Sequence, residues 1–200
     1  MLDLVDYRRR VADLYHDIRA AEDPHATWDR WRAVRDDLFA HHPQSALDES
    51  QRAAFTGLRY YDYDPDYCIV APVDYDVQPF TYVGEMGADG HLSYRRVAQV
   101  RFDLPSGTGR LSLFWIEGYG GGLFLPFRDA TRGSTTYGAG RYLYDTIKGA
   151  DLGAEPEQIL LDFNFAYHPS CAYNPRWVCP LAPQENWLEI AIPVGERLGP

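Results

Sequence analysis

The sequence predicts a mainly β fold of the α+β kind: a twisted antiparallel sheet forming a sandwich or partly closed barrel, with an N-terminal helical pair packed on one face or end. Three observations carry this. The first quarter places apolar residues at three- and four-residue steps between helix caps, and after Gly57 β-branched and aromatic residues take over. Beyond that point turn residues recur about every ten positions, the spacing of short antiparallel strands. The 200 residues fit one domain, with residues 1–56 as helices on a β-rich body of 57–200, and no internal repeat, low-complexity tract or linker divides them.

Taken in order, Leu4, Tyr7, Val11, Leu14 and Ile18 form the buried stripe of a first helix, with Asp3 as its cap. A second helix starts at Asp23 and Pro24, carries Trp28, Trp31, Val34 and Leu38 inward, and ends before Pro43. Those tryptophans must be covered, because exposing both would forfeit several kcal/mol at ~25 cal/mol per Å². Asp48 with Gln51 reads as a capping box before a short helix reaching Phe55 and closed by Gly57. Strands are expected near 67–72, 77–84, 92–103, 110–117, 122–127, 136–144, 158–166 and 187–193. Ala88-Asp89-Gly90 and Ser106-Gly107-Thr108-Gly109 suit hairpin turns, and Gly118 to Gly122 suits a hairpin connection.

Composition narrows the function classes. Asp and Glu outnumber Lys and Arg by 29 to 19, a net charge of -10, which opposes binding to a phosphate backbone; no nucleic-acid partner is expected. No run approaches the ~20 apolar residues of a membrane span, and Met1 to Arg10 is polar rather than an apolar leader, so a cytoplasmic protein without membrane contact is expected. Of the 19 basic residues only Lys148 is lysine, a bias that reads as GC-rich codon usage and carries no functional weight. Three cysteines are too few for a disulfide scaffold and leave at least one free thiol.

The candidate chemistry lies in two stretches. Asp129 to Arg141 reads DATRGSTTYGAGR, but no Lys and Ser or Thr follow its last glycines, and the alternating βα pattern of nucleotide folds is absent. It reads instead as a loop entering a strand, with Gly138 and Gly140 opposite Tyr137, Ala139, Arg141 and Leu143, leaving room for a packed chain segment or a ligand. In the second stretch Leu161, Phe163 and Phe165 alternate with Asp162 and Asn164, and the loop from Tyr167 to Asn174 adds an imidazole and a thiol.

These residues support a soluble binding protein that holds a small polar, anionic molecule near Tyr137, Arg141, Asp162, Asn164 and His168, with Arg141 as the bidentate fork. The plain alternative is an Arg141 to Asp162 ion pair between neighbouring strands. A hydrolase or transferase would use His168 as base, Cys171 or water as nucleophile and Asp162 to orient the base. A structural or interaction protein without pocket chemistry is the third reading. His168, Cys171 and Cys179 offer soft metal donors but lack the paired spacing of a zinc site, so no metal or cofactor is assigned. As a clip, Cys171 and Cys179 would close a loop holding Pro175 and Trp177, for about 2 to 3 kcal/mol. A reducing cytosol disfavours that bond, so the two are expected close together as free thiols. Cys68 reads as core packing, and His41 and His42 as a helix-end cap.

The segments FLPFRDATRGSTTYGAGRYL from Phe124, LDFNFAYHPSCAY from Leu161 and CPLAPQENWLEIAIPVGER from Cys179 resemble an uncharacterised prokaryotic family, the DUF1684 domain of unknown function. The resemblance covers nearly the whole chain and implies a mainly β protein of about this length. It implies no reaction, substrate or catalytic residue.

Overall fold

The computed structural model describes residues 1–86 and 90–199. Helix α1 spans Leu2–Ala20 and α2 spans Pro24–His41. Met1 caps α1, and Asp3 stands in its first turn rather than at the cap. The side chain of Asp23 accepts the amides of His25 and Ala26, as its place before Pro24 predicts. Trp28 and Trp31 are 4% and 0% exposed, so the helical register holds. Helix α3, Glu49–Ala53, is held by the Asp48 and Gln51 capping box.

A curled antiparallel sheet forms a half-barrel. Its strands are β2 (Cys68–Asp74), β3 (Thr81–Glu85), β4 (His91–Leu104), β5 (Gly107–Ile116), β6 (Gly122–Phe127), β7 (Arg141–Asp145) and β8 (Gln158–Asp162). The order is β7-β6-β5-β4-β2-β8, with β3 also on β4. The long β4 organises the curl: one edge pairs with β5 from Tyr94 to Leu104, and the other with β3 from His91 to Arg95 and with β2 at Gln99 and Val100. Its register shifts between Arg96 and Ala98, where a bulge bends the strand. A second, two-stranded sheet joins β1 (Arg59–Tyr60) to β9 (Glu196–Arg197).

Several expectations change. The hairpin between β4 and β5 turns on Pro105 and Ser106, because Leu104 already pairs with Gly107. Ala88 and Asp89 of the other expected turn lie outside the described residues. Residues 136–140 are not strand: Gly140 has φ +100°, and a Cβ there would lie 2.3 Å from the Phe127 carbonyl oxygen, so the missing side chain admits a neighbouring backbone segment. Residues 187–193 form no strand. They run irregularly beside Arg128–Ala130, bonded through Leu188 N–H to the Arg128 carbonyl and Ala130 N–H to the Ile190 carbonyl. After Asp162 the chain leaves β8 in a 3₁₀ turn, so Asp162 and Asn164 are buried along with Leu161, Phe163 and Phe165.

The core couples helices to sheet. Leu14, Tyr15, Trp28 and Trp31 pack into one apolar cluster with Tyr144, Leu161, Phe163 and Phe165. Trp31 meets the Phe165 ring edge-on at 5.3 Å, and Trp28 Nε1 donates to the Asn164 carbonyl at 3.0 Å. The helices therefore cover the half-barrel near β7 and β8. Among the described residues, no helix is long and apolar enough to cross a membrane.

Candidate functional site

Arg141 opens β7 and is fully buried. Its guanidinium donates to the carbonyls of Ile192, Val194 and Glu196, and pairs with Asp129 at 3.3 Å. Asp129 in turn accepts from the Thr131 hydroxyl at 2.7 Å and the Ile192 amide at 2.8 Å. The expected Arg141 to Asp162 pair is not formed. Arg141 instead straps the C-terminal segment to β7, a task its several donors suit.

Asp162 and Asn164 serve the exit from β8. Asp162 Oδ1 accepts from both the amide and the side chain of Asn164, and Asn164 also bonds both backbone groups of Asp64. Burial raises the Asp162 carboxyl above its ordinary range. Neither residue hydrogen-bonds His168 or Arg141 among the described residues.

His168 belongs to a different cluster. Its Nε2 accepts the Tyr137 amide at 3.1 Å, so the ring proton sits on Nδ1, which faces Glu196 Oε1 at 3.5 Å. The His168 amide donates to Glu196 Oε2 at 3.0 Å, and Arg35 Nη2 donates to the same oxygen at 2.6 Å. Burial alone would raise the Glu196 carboxyl; Arg35 and His168 outweigh it and hold it below the ordinary range. Among the described residues His168 makes no hydrogen bond to Cys171, and the lone pair a base would use is occupied by Tyr137.

Beside this cluster a cavity of about 60 Å³ lies at the seam of α1, α2 and the β body. Tyr7 and Tyr15 come from α1, Arg35 from α2, Tyr142 from β7, and Tyr167, His168 and Ser170 from the loop after β8. Lys148 lies in the 3₁₀ turn Thr146–Lys148 that follows β7. Its half-exposed ammonium is held by buried Asp145 at 3.0 Å, whose charge raises its pKa and keeps it cationic. Burial pushes the Tyr15 hydroxyl up to about 12 and Tyr142 and Tyr167 well above their ordinary value, so these phenols stay protonated. Arg35 spends Nε on the Tyr60 hydroxyl and Nη2 on Glu196, and Nη1 donates to no described residue. The seam thus gathers two cations and several hydroxyls around a small volume.

Sequence reading found His168 but missed Arg35, Lys148 and Glu196. The available signal was Lys148 itself, the single lysine of an arginine-rich chain.

The third group is sulfur. The Cys171 amide donates to Cys179 Sγ at 3.4 Å, and both cysteines are free thiols. Among the described residues no three His, Cys, Asp or Glu side chains are grouped to hold a metal ion.

A family model described as "Protein of unknown function (DUF1684)" matches residues 53–197. Among solved structures, the chain is similar to an uncharacterised protein of Haloarcula marismortui determined by solution NMR: 37% identity, a TM-score of 0.64, and coverage of 86% of this chain and 93% of that one. No curated protein matches.

Proposed function

The chain belongs to this DUF1684 family of proteins of unknown function, and we propose that it is a cytoplasmic binding protein for a small polar, anionic molecule, held in the seam between the helical pair and the half-barrel. The observation that carries this reading is the convergence of Arg35 and Lys148 with tyrosine, serine and histidine side chains on one cavity. Each cation is anchored by one carboxylate and keeps further N–H groups for a ligand. A cavity of about 60 Å³ has room for roughly four to six waters, which suits a short-chain carboxylate or an oxyanion of similar size. The overall charge of -10 does not oppose this, because local donors set the field within a partly enclosed site. A hydrolase or transferase built on His168 and Cys171 has less support, since Tyr137 occupies the imidazole lone pair.

The test is a panel of small mono- and dicarboxylates with inorganic phosphate, screened by ligand-observed NMR. At least one member should bind saturably, and Lys148→Gln should weaken it by about tenfold or more, near 1.4 kcal/mol. Absence of binding across the panel, or binding indifferent to Lys148→Gln, would overturn the proposal.

A further inference from the structure

We infer that Cys171 and Cys179 form a redox-active dithiol, with Cys179 as the attacking sulfur and Cys171 as the resolving one. This does not depend on the ligand reading above.

The geometry sets the two cysteines side by side in an asymmetric setting. Cys171 stands in the middle of the 3₁₀ turn Ser170–Ala172, and its amide donates to the Cys179 sulfur at 3.4 Å. Lys148 adds positive potential at Cys179, opposed in part by Asp145. Together with the neighbouring Cys171 thiol, these hold the Cys179 thiol below its ordinary range and favour its thiolate. Cys171 is pushed upward, chiefly by the neighbouring Cys179 sulfur and then by burial. Removing the charge from Cys179 therefore removes the main cause that keeps Cys171 protonated.

The connecting loop is fixed rather than loose. Trp177 Nε1 donates to the Ala46 carbonyl at 3.0 Å, and Arg176 Nη2 donates to the Ser45 carbonyl at 2.9 Å, which ties the loop between the cysteines to the segment after α2. Both sulfur residues are partly exposed, so a small oxidant can reach them. Cys68 is the internal contrast: burial and Asp162 push its thiol up to about 12, leaving it inert.

With a hydroperoxide as oxidant, the Cys179 thiolate attacks one peroxide oxygen, the O–O bond breaks, and Cys179 becomes a sulfenic acid while hydroxide leaves. Cys171 then gives up its proton, its sulfur attacks the sulfenic sulfur, and the S–O bond breaks as the disulfide forms. The proton and the departing hydroxyl leave as water. From one thiolate, one thiol and hydrogen peroxide the products are one disulfide, one water and one hydroxide; two electrons pass from sulfur to oxygen. A small dithiol reverses the bond by exchange.

Peroxide treatment of the intact protein followed by alkylation and peptide mapping tests this. One intramolecular Cys171–Cys179 disulfide should form, Cys68 should remain free, and dithiothreitol should restore all three thiols. In untreated wild type at neutral pH, iodoacetamide should label Cys179 on the order of tenfold faster than Cys171 or Cys68. Cys171→Ser should stop at a Cys179 sulfenic acid that a dimedone probe captures, and Cys179→Ser should leave Cys171 reduced. Persistence of all three thiols under peroxide that oxidises a free small thiol, prior labelling of Cys171 or Cys68, or disulfides formed only between chains would each overturn the inference. The labelling order needs no variant, so it decides even if a serine variant misfolds.

Discussion

At the scale of the residue, Arg141 and Lys148 exchange the roles their sequence contexts suggest. An arginine entering a strand behind two glycines looks like a ligand fork, yet Arg141 spends its donors on Asp129 and on three carbonyls of the C-terminal segment. Its partner Asp129 stands in the same quoted stretch; only the chain reversal at 136–140 brings the two together, and no strand periodicity encodes that reversal. Lys148 looks like a codon accident and instead borders the cavity. Arg141→Lys should therefore lower stability by about 2 to 4 kcal/mol, because a buried carboxylate and several carbonyls lose their donors. Lys148→Gln should cost less, about 1 to 2 kcal/mol, since its ammonium is half-exposed although the Asp145 carboxylate it leaves is buried. Urea denaturation of both variants, read at unchanged slope, checks the contrast.

Among the elements, those with a strong period are legible and those made by long-range contact are not. The caps at Asp23 and Asp48, the inward tryptophans and the strands β2 to β6 and β8 follow from local pattern. Strands β1 and β9, of two residues each, carry no period to read and exist because distant segments meet. Residues 187–193 alternate like a strand but are fixed by side chains, Ile192 N–H to Asp129 among them. Gly195 shows how tightly this segment sits: φ is +75°, and a Cβ there would lie 2.7 Å from the carbonyl oxygens of Phe163 and Ala166. Gly195→Ala should destabilise the fold by at least about 2 kcal/mol through strain and clash, and it should weaken ligand binding by displacing neighbouring Glu196. Thermal unfolding together with the binding assay reads both effects.

For the whole molecule, the helical pair is what closes one side of the cavity on the half-barrel. The family match begins at residue 53, so α1 and α2, which supply Tyr7, Tyr15 and Arg35, lie outside it, while Lys148, Tyr167 and His168 lie within it. The seam is joined by a buried charge network, and that gives stability a pH dependence. The Glu196 carboxyl titrates lower in the folded chain than in the unfolded one, so its contribution is present above the unfolded value of about 4.3 and is lost as pH falls through the folded one. Denaturation below about pH 4 should therefore steepen in wild type and flatten in Glu196→Gln at the same acid limb.

The proposed anion site at the helix and sheet seam can be located directly in solution. Amide NMR titration of the intact chain with the tightest member of the carboxylate and phosphate panel tests it most directly. Saturable shifts should cluster on Lys148, Tyr167 and Ser170 and on the facing turns of α1 and α2 around Tyr15 and Arg35. Saturable shifts centred instead on Arg141, Asp162 and Asn164, or anywhere away from the helix and sheet seam, would overturn this placement.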